Sequence, residues 1–530
     1  MDSSCCDEPR ASDEKMSSNE GFASGRRPSH KKQASGIRQD QDIVEEATII
    51  DLNSDGLLRN RSTLHVAFMS FVVASIPYGL ATTLFYPLIN AASLAEITSV
   101  YPTAGGVYYQ TFMLVSGKLQ RPLSWICGLT YLAGNILITL AVNFGSTGFL
   151  IACLNIFEAA PGKGIFEASV YQQFLIFVAI TVLCNLTSAL GNRWLPILDI
   201  FSIIWTFAGL TAILICVLIR AKEGRHSAGY IFGEFEPLSG WSSGWAFCVG
   251  LLQAAYATSS TGMIISMCDE VRNPQVQVPK AMIGTILLNM IAGLLFLIPV
   301  VLVLPDMKAL IDLASGQPLP VIIMSAVGDS TGSFFLLIPL IALALFCGIA
   351  CTTVASRCTW AFARDGGIPG MKWWGPVHRY LKVPLNAMML SMITQISLGC
   401  IYFGSETAFN AFLSAGVIFL TVSCAIPIAA SLFSGRKDIA KGKFFLGRVG
   451  VFCNIVSLCW SVFAVPLFCM PSYLPTTPET INYAFAVFAG FLVIAIVWYY
   501  FWGHKGFQGP RRRVLGASWV DSMPRIDDVE

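Results

Sequence analysis

Residues 245–267 read WAFCVGLLQAAYATSSTGMIISM, 23 residues without one charged side chain. About 20 predominantly apolar residues suffice for a helix to cross the hydrocarbon core of a bilayer, so the stretch reads as a membrane span. Its centre is not built like one. At YATSSTG, from Tyr256 to Gly262, four hydroxyl-bearing residues follow one another and a glycine closes the run. Successive residues of an α-helix stand about 100° apart, so the four hydroxyls cannot share one side unless the helix unwinds. Serine and threonine can satisfy backbone groups freed by unwinding, and their hydroxyls can face a polar solute or ion.

A second apolar segment is interrupted in a similar way. ASIPYGLAT, from Ala74 to Thr82, carries Pro77 and Gly79 in its middle. The proline ring removes a donor and clashes with the preceding turn, and glycine tolerates irregular backbone. Taken singly, either segment has an ordinary explanation, because such residues are common where membrane helices touch. Their placement at the starts of two five-helix blocks points to a solute site near the bilayer midplane. Asn135, just after TYLAG on a neighbouring span, is a supporting candidate. Asn185, Asn289 and Gln395 read as glue between helices.

The rest of the chain also takes a bilayer as its solvent. Hydrophobic residues make up 55% of the 530 and charged residues 12%, about half the charge of an ordinary soluble domain. Of the 66 charged residues, 30 lie in 1–64 and 503–530, leaving the interval between too poor in charge to face water. Both ends read as cytosolic tails, the first disordered, around a transmembrane domain over 65–502. A net charge of +2 with no basic patch among aromatics gives no reason to expect a nucleic-acid partner. The cysteines of the apolar segments are scattered singly, without the spacing of a zinc site, and no metal or cofactor is expected.

Clear spans are expected at 123–154, 173–190, 195–219, 245–267, 282–304, 334–355, 385–403, 408–433, 449–470 and 481–502, with an eleventh within 64–97. They are helices, since the alternation of a barrel strand is absent. The hydrophilic links taken alternately from 101–122 hold 15 lysines and arginines, and the other set holds 5. Positive charge is retained on the inner side, so the first set and the C-terminal tail face the cytosol.

Ionisable residues are expensive in lipid and call for a role. Glu96, Asp269 and Glu270 stand at cytosolic helix ends, where pairing with Arg357 and Arg364 as gate or scaffold is expected. No acidic residue occupies the midplane, so a coupling proton, left open as a partner beside the solute and the lipid, has no evident carrier. An enzyme is not expected. HExxH and Walker motifs are missing, and none of the five histidines lies deep in a span, which removes the commonest general acid–base.

Three links carry a family likeness. SLAEITSVYPTAGGVYYQ (93–110) resembles the link between the second and third helices of the amino acid–polyamine–organocation superfamily. DEVRNPQVQVPKAM (269–282) resembles its link after helix six, and SRCTWAFARDGGIP (356–369) its exit from helix eight. PTAGGVYY and FARDGGIP are most similar to the fungal amino acid/choline transporter branch, which includes choline, GABA and general amino acid permeases. The resemblance covers about residues 64–510.

That resemblance implies an all-α polytopic membrane protein of two inverted five-helix repeats, with broken first and sixth helices, plus two C-terminal helices. It implies a solute held against the breaks, by Ser75, Ile76, Tyr78 and Gly79 on the first and Tyr256, Ala257, Thr258, Ser259 and Ser260 on the sixth. Backbone donors at an unwound helix end would suit a carboxylate, and the faces of Tyr78, Tyr131, Tyr256 and Trp205 an ammonium. The implied activity is secondary active transport of an amino acid, GABA or choline across the plasma or vacuolar membrane. Export of a nitrogen-containing metabolite such as an alkaloid is the alternative on the same fold.

The chain departs from the pattern at one place. Only 33 residues run from Leu64 to Glu96, and two spans need roughly 40. Ile89-Asn90-Ala91 reads as the point where the end of the first helix meets the tail of the second. The second helix is therefore expected to be truncated or missing, whether by a lost exon or in the protein itself. A transport-inactive membrane protein is the third reading.

Overall fold

A computed structural model describes residues 85–160, 163–221, 226–227, 240–248, 260–305, 310, 317–471, 474 and 481–510. The N-terminal tail, the ASIPYGLAT segment and residues 511–530 lie outside them. The described chain is almost wholly helical. The helices are α1 (Phe85–Val100), α2 (Gly106–Leu114), α3 (Gln120–Leu154), α4 (Val170–Leu190), α5 (Leu195–Arg220), α6 (Pro274–Leu302) and α7 (Pro318–Val327). They continue with α8 (Ser330–Arg364), α9 (Met371–Trp374), α10 (Leu385–Gly399), α11 (Glu406–Phe433), α12 (Arg448–Phe468) and α13 (Ala484–Trp498). A small antiparallel hairpin, β1 (Glu158–Ala160) with β2 (Lys163–Gly164), follows α3.

Nine helices among the described residues are long and apolar enough to span a bilayer. Local chemistry sets several of their ends. α4 opens on a capping box in which the Ser169 hydroxyl accepts from the Gln172 amide and the Gln172 side chain accepts from the Ser169 amide, so two orphan donors are satisfied at once. Gly328, at φ +74°, ends α7 in the left-handed region, and the Asp329 carboxylate then caps α8 by accepting from the Gly332 amide at 2.7 Å.

As the hydroxyl run suggests, residues 245–267 are not one α-helix: Ser260–Glu270 is wound as a 3₁₀-helix. Two further points differ from the apolar pattern. α8 does not stop near Ala355 but runs on to Arg364, with every residue from Cys347 to Arg364 buried. Hydropathy falls there because Arg357 and Arg364 enter, yet both guanidinium groups meet carboxylates, which a hydropathy window cannot register. The charge asymmetry of the links survives their removal from the count. Finally, α1 runs unbroken through Ile89-Asn90-Ala91, so that junction is the interior of a helix.

α3 lies against α8 and α11 along much of its length. Small residues let the backbones close in: a Cβ at Gly134 of α3 would come within 2.8 Å of Leu420, and one at Gly416 of α11 within 3.0 Å of Leu137. The alternate links gather at one end of the bundle. Glu96 meets Arg436, Tyr108 meets Asp365, and Asn192 meets both Arg357 and Lys382. At the other end the Trp241 indole donates to the Pro471 carbonyl and the His226 amide to the Leu302 carbonyl.

Candidate functional site

The 3₁₀-helix Ser260–Glu270 is the inner half of the interrupted span. Runs of this winding longer than three or four residues are uncommon, and inside a helix they mark a hinge or a sequence under strain. Eleven residues therefore need outside support, and α3 supplies it. The Tyr131 hydroxyl is 2.9 Å from the Gly262 carbonyl, 3.3 Å from that of Met263 and 2.8 Å from the Ser266 hydroxyl. A phenol has one proton; with that proton committed to the carbonyls, Ser266 is the donor in the third contact. Tyr131 is fully buried. Gly262 is required by close approach, since a Cβ there would run into Cys424 Sγ of α11.

One turn along α3, Asn135 donates to the Tyr131 carbonyl at 2.7 Å. Its amide oxygen is buried and accepts no hydrogen bond. A buried acceptor left without a donor forfeits about 1–3 kcal/mol. Thr139, a further turn on, donates to the Asn135 carbonyl and reaches the Cys351 carbonyl of α8 at 3.3 Å. Together Tyr131, Asn135 and α8 bound the ground next to the interrupted helix.

At the end of the bundle where the alternate links gather, the 3₁₀-helix finishes on Asp269 and Glu270, both buried. Arg357 Nε donates to Glu270 at 2.7 Å, its Nη1 to Ser356 at 3.0 Å and its Nη2 to Asn192 at 3.2 Å. Arg364 lies 3.8 Å from Asp269 and 3.3 Å from Asp365, with its guanidinium 4.6 Å over the Trp360 ring. Asp365 also accepts from the Tyr108 hydroxyl at 2.8 Å. Burial, and then the Asp365 carboxylate, hold the Tyr108 phenol well above its ordinary range, so it remains a donor. Glu96, from the end of α1, accepts from Arg436 and from the Leu446 amide. These contacts tie the α1 end to the 434–448 link.

Of the residues singled out in the sequence, Ser75, Ile76, Tyr78, Gly79, Tyr256, Ala257, Thr258 and Ser259 lie outside the described residues. Ser260 opens the 3₁₀-helix. Asn135 stands where α3 passes that helix, and Glu96, Asp269, Glu270, Arg357 and Arg364 lie at the end of the bundle where the alternate links gather. Gln395 accepts from Asn143 across the α3–α10 contact, and Asn185 donates to Thr181 on its own helix. Asn192 and Asp365 were not singled out, because an asparagine in a short link and an aspartate after an arginine carry no motif. Among the described residues no three His, Cys, Asp or Glu side chains gather as metal ligands.

A multi-pass helical membrane protein with an interrupted helix held against a polar third span has the build of a solute transporter. The chain belongs to the amino acid permease family, whose model matches residues 62–494, within the amino acid–polyamine–organocation superfamily. It is 30% identical to a choline transporter of Saccharomyces cerevisiae over 82% of this chain and 76% of that one. It is 28% identical to an amino-acid permease of Neurospora crassa over 79% and 76%, and 29% identical to a polyamine transporter of Saccharomyces cerevisiae over 79% and 68%. The crystal structure of MhsT in complex with L-phenylalanine shares the fold, with a TM-score of 0.54 at 17% identity over 77% of this chain and 97% of that one.

Proposed function

We propose that the chain moves a small nitrogenous solute, an amino acid, GABA or choline, by secondary active transport with alternating access. The observation that carries the reading is the Tyr131 clasp on the carbonyls of Gly262 and Met263, with the unpartnered Asn135 oxygen one turn away. The clasp follows the hydroxyl run Thr258–Thr261 in the chain, and an ammonium or hydroxyl donor of the solute would find an acceptor in the Asn135 oxygen. Ser75, Ile76, Tyr78, Gly79, Tyr256, Ala257, Thr258, Ser259 and Ser260 are assigned to solute binding with Asn135.

The Glu270–Arg357 and Asp269–Arg364 contacts are assigned to the inner gate, with Glu96 as scaffold for the neighbouring link. Opening inward then means separating carboxylates from guanidiniums that are shielded from water, and solute binding at the broken helix must bias that step. The yeast and Neurospora relatives named for choline, polyamines and amino acids support the solute class. Uptake of a labelled panel of these compounds in cells lacking their own permeases tests the reading. A second reading, a membrane protein that does not transport, draws on the short interval between Leu64 and Glu96; the same assay decides it.

A further inference from the structure

Two cytosolic links meet at the ends of their helices and expose an unusual set of side chains. The 191–194 link shows Arg193 and Trp194, and the 370–382 link shows Lys372, Trp373, Arg379 and Tyr380. Trp194, Trp373 and Tyr380 are 68%, 72% and 83% exposed, too much for residues that merely finish a core. Neither link contains an acidic residue, and among the described residues none of these cations pairs with a carboxylate. Yet the backbone beneath them is held firmly. Asn386 donates to the Trp373 carbonyl at 2.7 Å, the Trp360 indole donates to Gly375 at 2.9 Å, and Lys382 is kept at φ +54° by a closed turn with His378. A fixed backbone that presents loose aromatic and basic tips is what an interfacial anchor needs. Indole and phenol rings settle at headgroup depth, and lysine and arginine are drawn to the anionic inner leaflet over about a Debye length.

One buried side chain links this surface to the charged cluster. Asn192 donates to the Lys382 carbonyl at 3.4 Å, which joins the two links, and its Oδ1 accepts from Arg357 at 3.2 Å. Arg357 in turn holds Glu270. We propose that the 191–194 and 370–382 links form one docking surface for the anionic lipid headgroups of the inner leaflet. Through Asn192 the docked lipid steadies the Arg357–Glu270 pair. The lipid contact stands by itself, and the coupling rests on the proposed inner gate. Neither readout below needs a transported solute, so failed uptake and failed lipid docking are separate results.

The full chain is placed in phosphatidylcholine vesicles containing equal fractions of brominated phosphatidylserine or brominated phosphatidylcholine, and quenching of tryptophan fluorescence is read. Brominated phosphatidylserine should quench more strongly, and the excess should vanish in Trp194→Phe/Trp373→Phe. Lys372→Glu/Arg379→Glu should cut the apparent preference by about an order of magnitude. Equal quenching by the two lipids in the parent chain overturns the docking surface and points to an acidic protein partner instead. For the coupling, maleimide labelling of Cys268, next to Asp269 and Glu270, should be about five-fold slower in phosphatidylserine than in phosphatidylcholine vesicles. Asn192→Ala should erase that lipid dependence and keep the quenching preference. Labelling of the parent chain at one rate in both lipids refutes the coupling.

Discussion

Arg357 Nε lies 2.7 Å from Glu270 Oε1, with the two side chains 1% and 5% exposed. A pair so shielded adds little net stability, because desolvating both ions offsets their attraction, but removing one partner strands the other at about 3–5 kcal/mol. Such a pair suits the inner gate proposed for it, with an engaged and a solvated state.

Glu270→Gln keeps the shape and removes the charge. Maximal rate should change several-fold while the apparent affinity for solute stays nearly constant, because the pair is assigned to the gate and not to the solute. Transport kinetics in proteoliposomes check this. A pure loss of affinity at unchanged maximal rate would place Glu270 in the solute site instead.

Glu96 accepts from both Arg436 and the Leu446 amide, and a Cβ on Gly450 would run into its carboxylate. Glu96→Ala should lower stability by about 3–5 kcal/mol, read as an earlier thermal unfolding in detergent. Glu96→Ala combined with Arg436→Met should recover much of the loss, since no buried charge is then left alone. Equal destabilisation by the single and double variants would show that Arg436 is not the partner that matters.

Gly262→Ala should be harmful through Cys424. Overpacking of this kind amounts to about 1–3 kcal/mol, and here it would push the 3₁₀-helix off α11. Cys424→Gly in the same chain should restore the thermal midpoint and uptake. If Cys424→Gly gives no relief, the clash is with something else.

The orientation follows from the distribution of lysine and arginine. Cysteines introduced at 471–480 should react with an impermeant maleimide from outside, and those at 434–448 should not. Labelling of the second set in sealed cells would invert the topology.

Much of the fold was legible because a bilayer imposes a length and a polarity on each helix. The α3, α4, α5, α10 and α11 spans lie within a few residues of the apolar runs that announced them. What escaped was wherever charge had a partner. The last turns of α8 look hydrophilic until Arg357 is seen against Glu270, and Asn192 looks like an ordinary link residue until it is seen between Arg357 and Lys382. Ile89, Asn90 and Ala91 lie inside one continuous helix, where the sequence marks a join between two helix pieces. The hydroxyl run marked the interrupted span, but no pattern in the sequence shows that Tyr131, 131 residues before Gly262, would clasp its backbone.

The most direct measurement is uptake of radiolabelled choline, GABA and amino acids by permease-deficient cells expressing the chain, with membrane delivery verified by surface labelling. The parent should show saturable accumulation of at least one of them. Tyr131→Phe, which keeps the ring and loses the hydroxyl, should reach the membrane yet transport about five-fold or more slowly, in line with the 1–3 kcal/mol of a lost buried hydrogen bond. A surface-delivered parent that accumulates none of these solutes contradicts the account, and so does a Tyr131→Phe chain that transports at the parental rate.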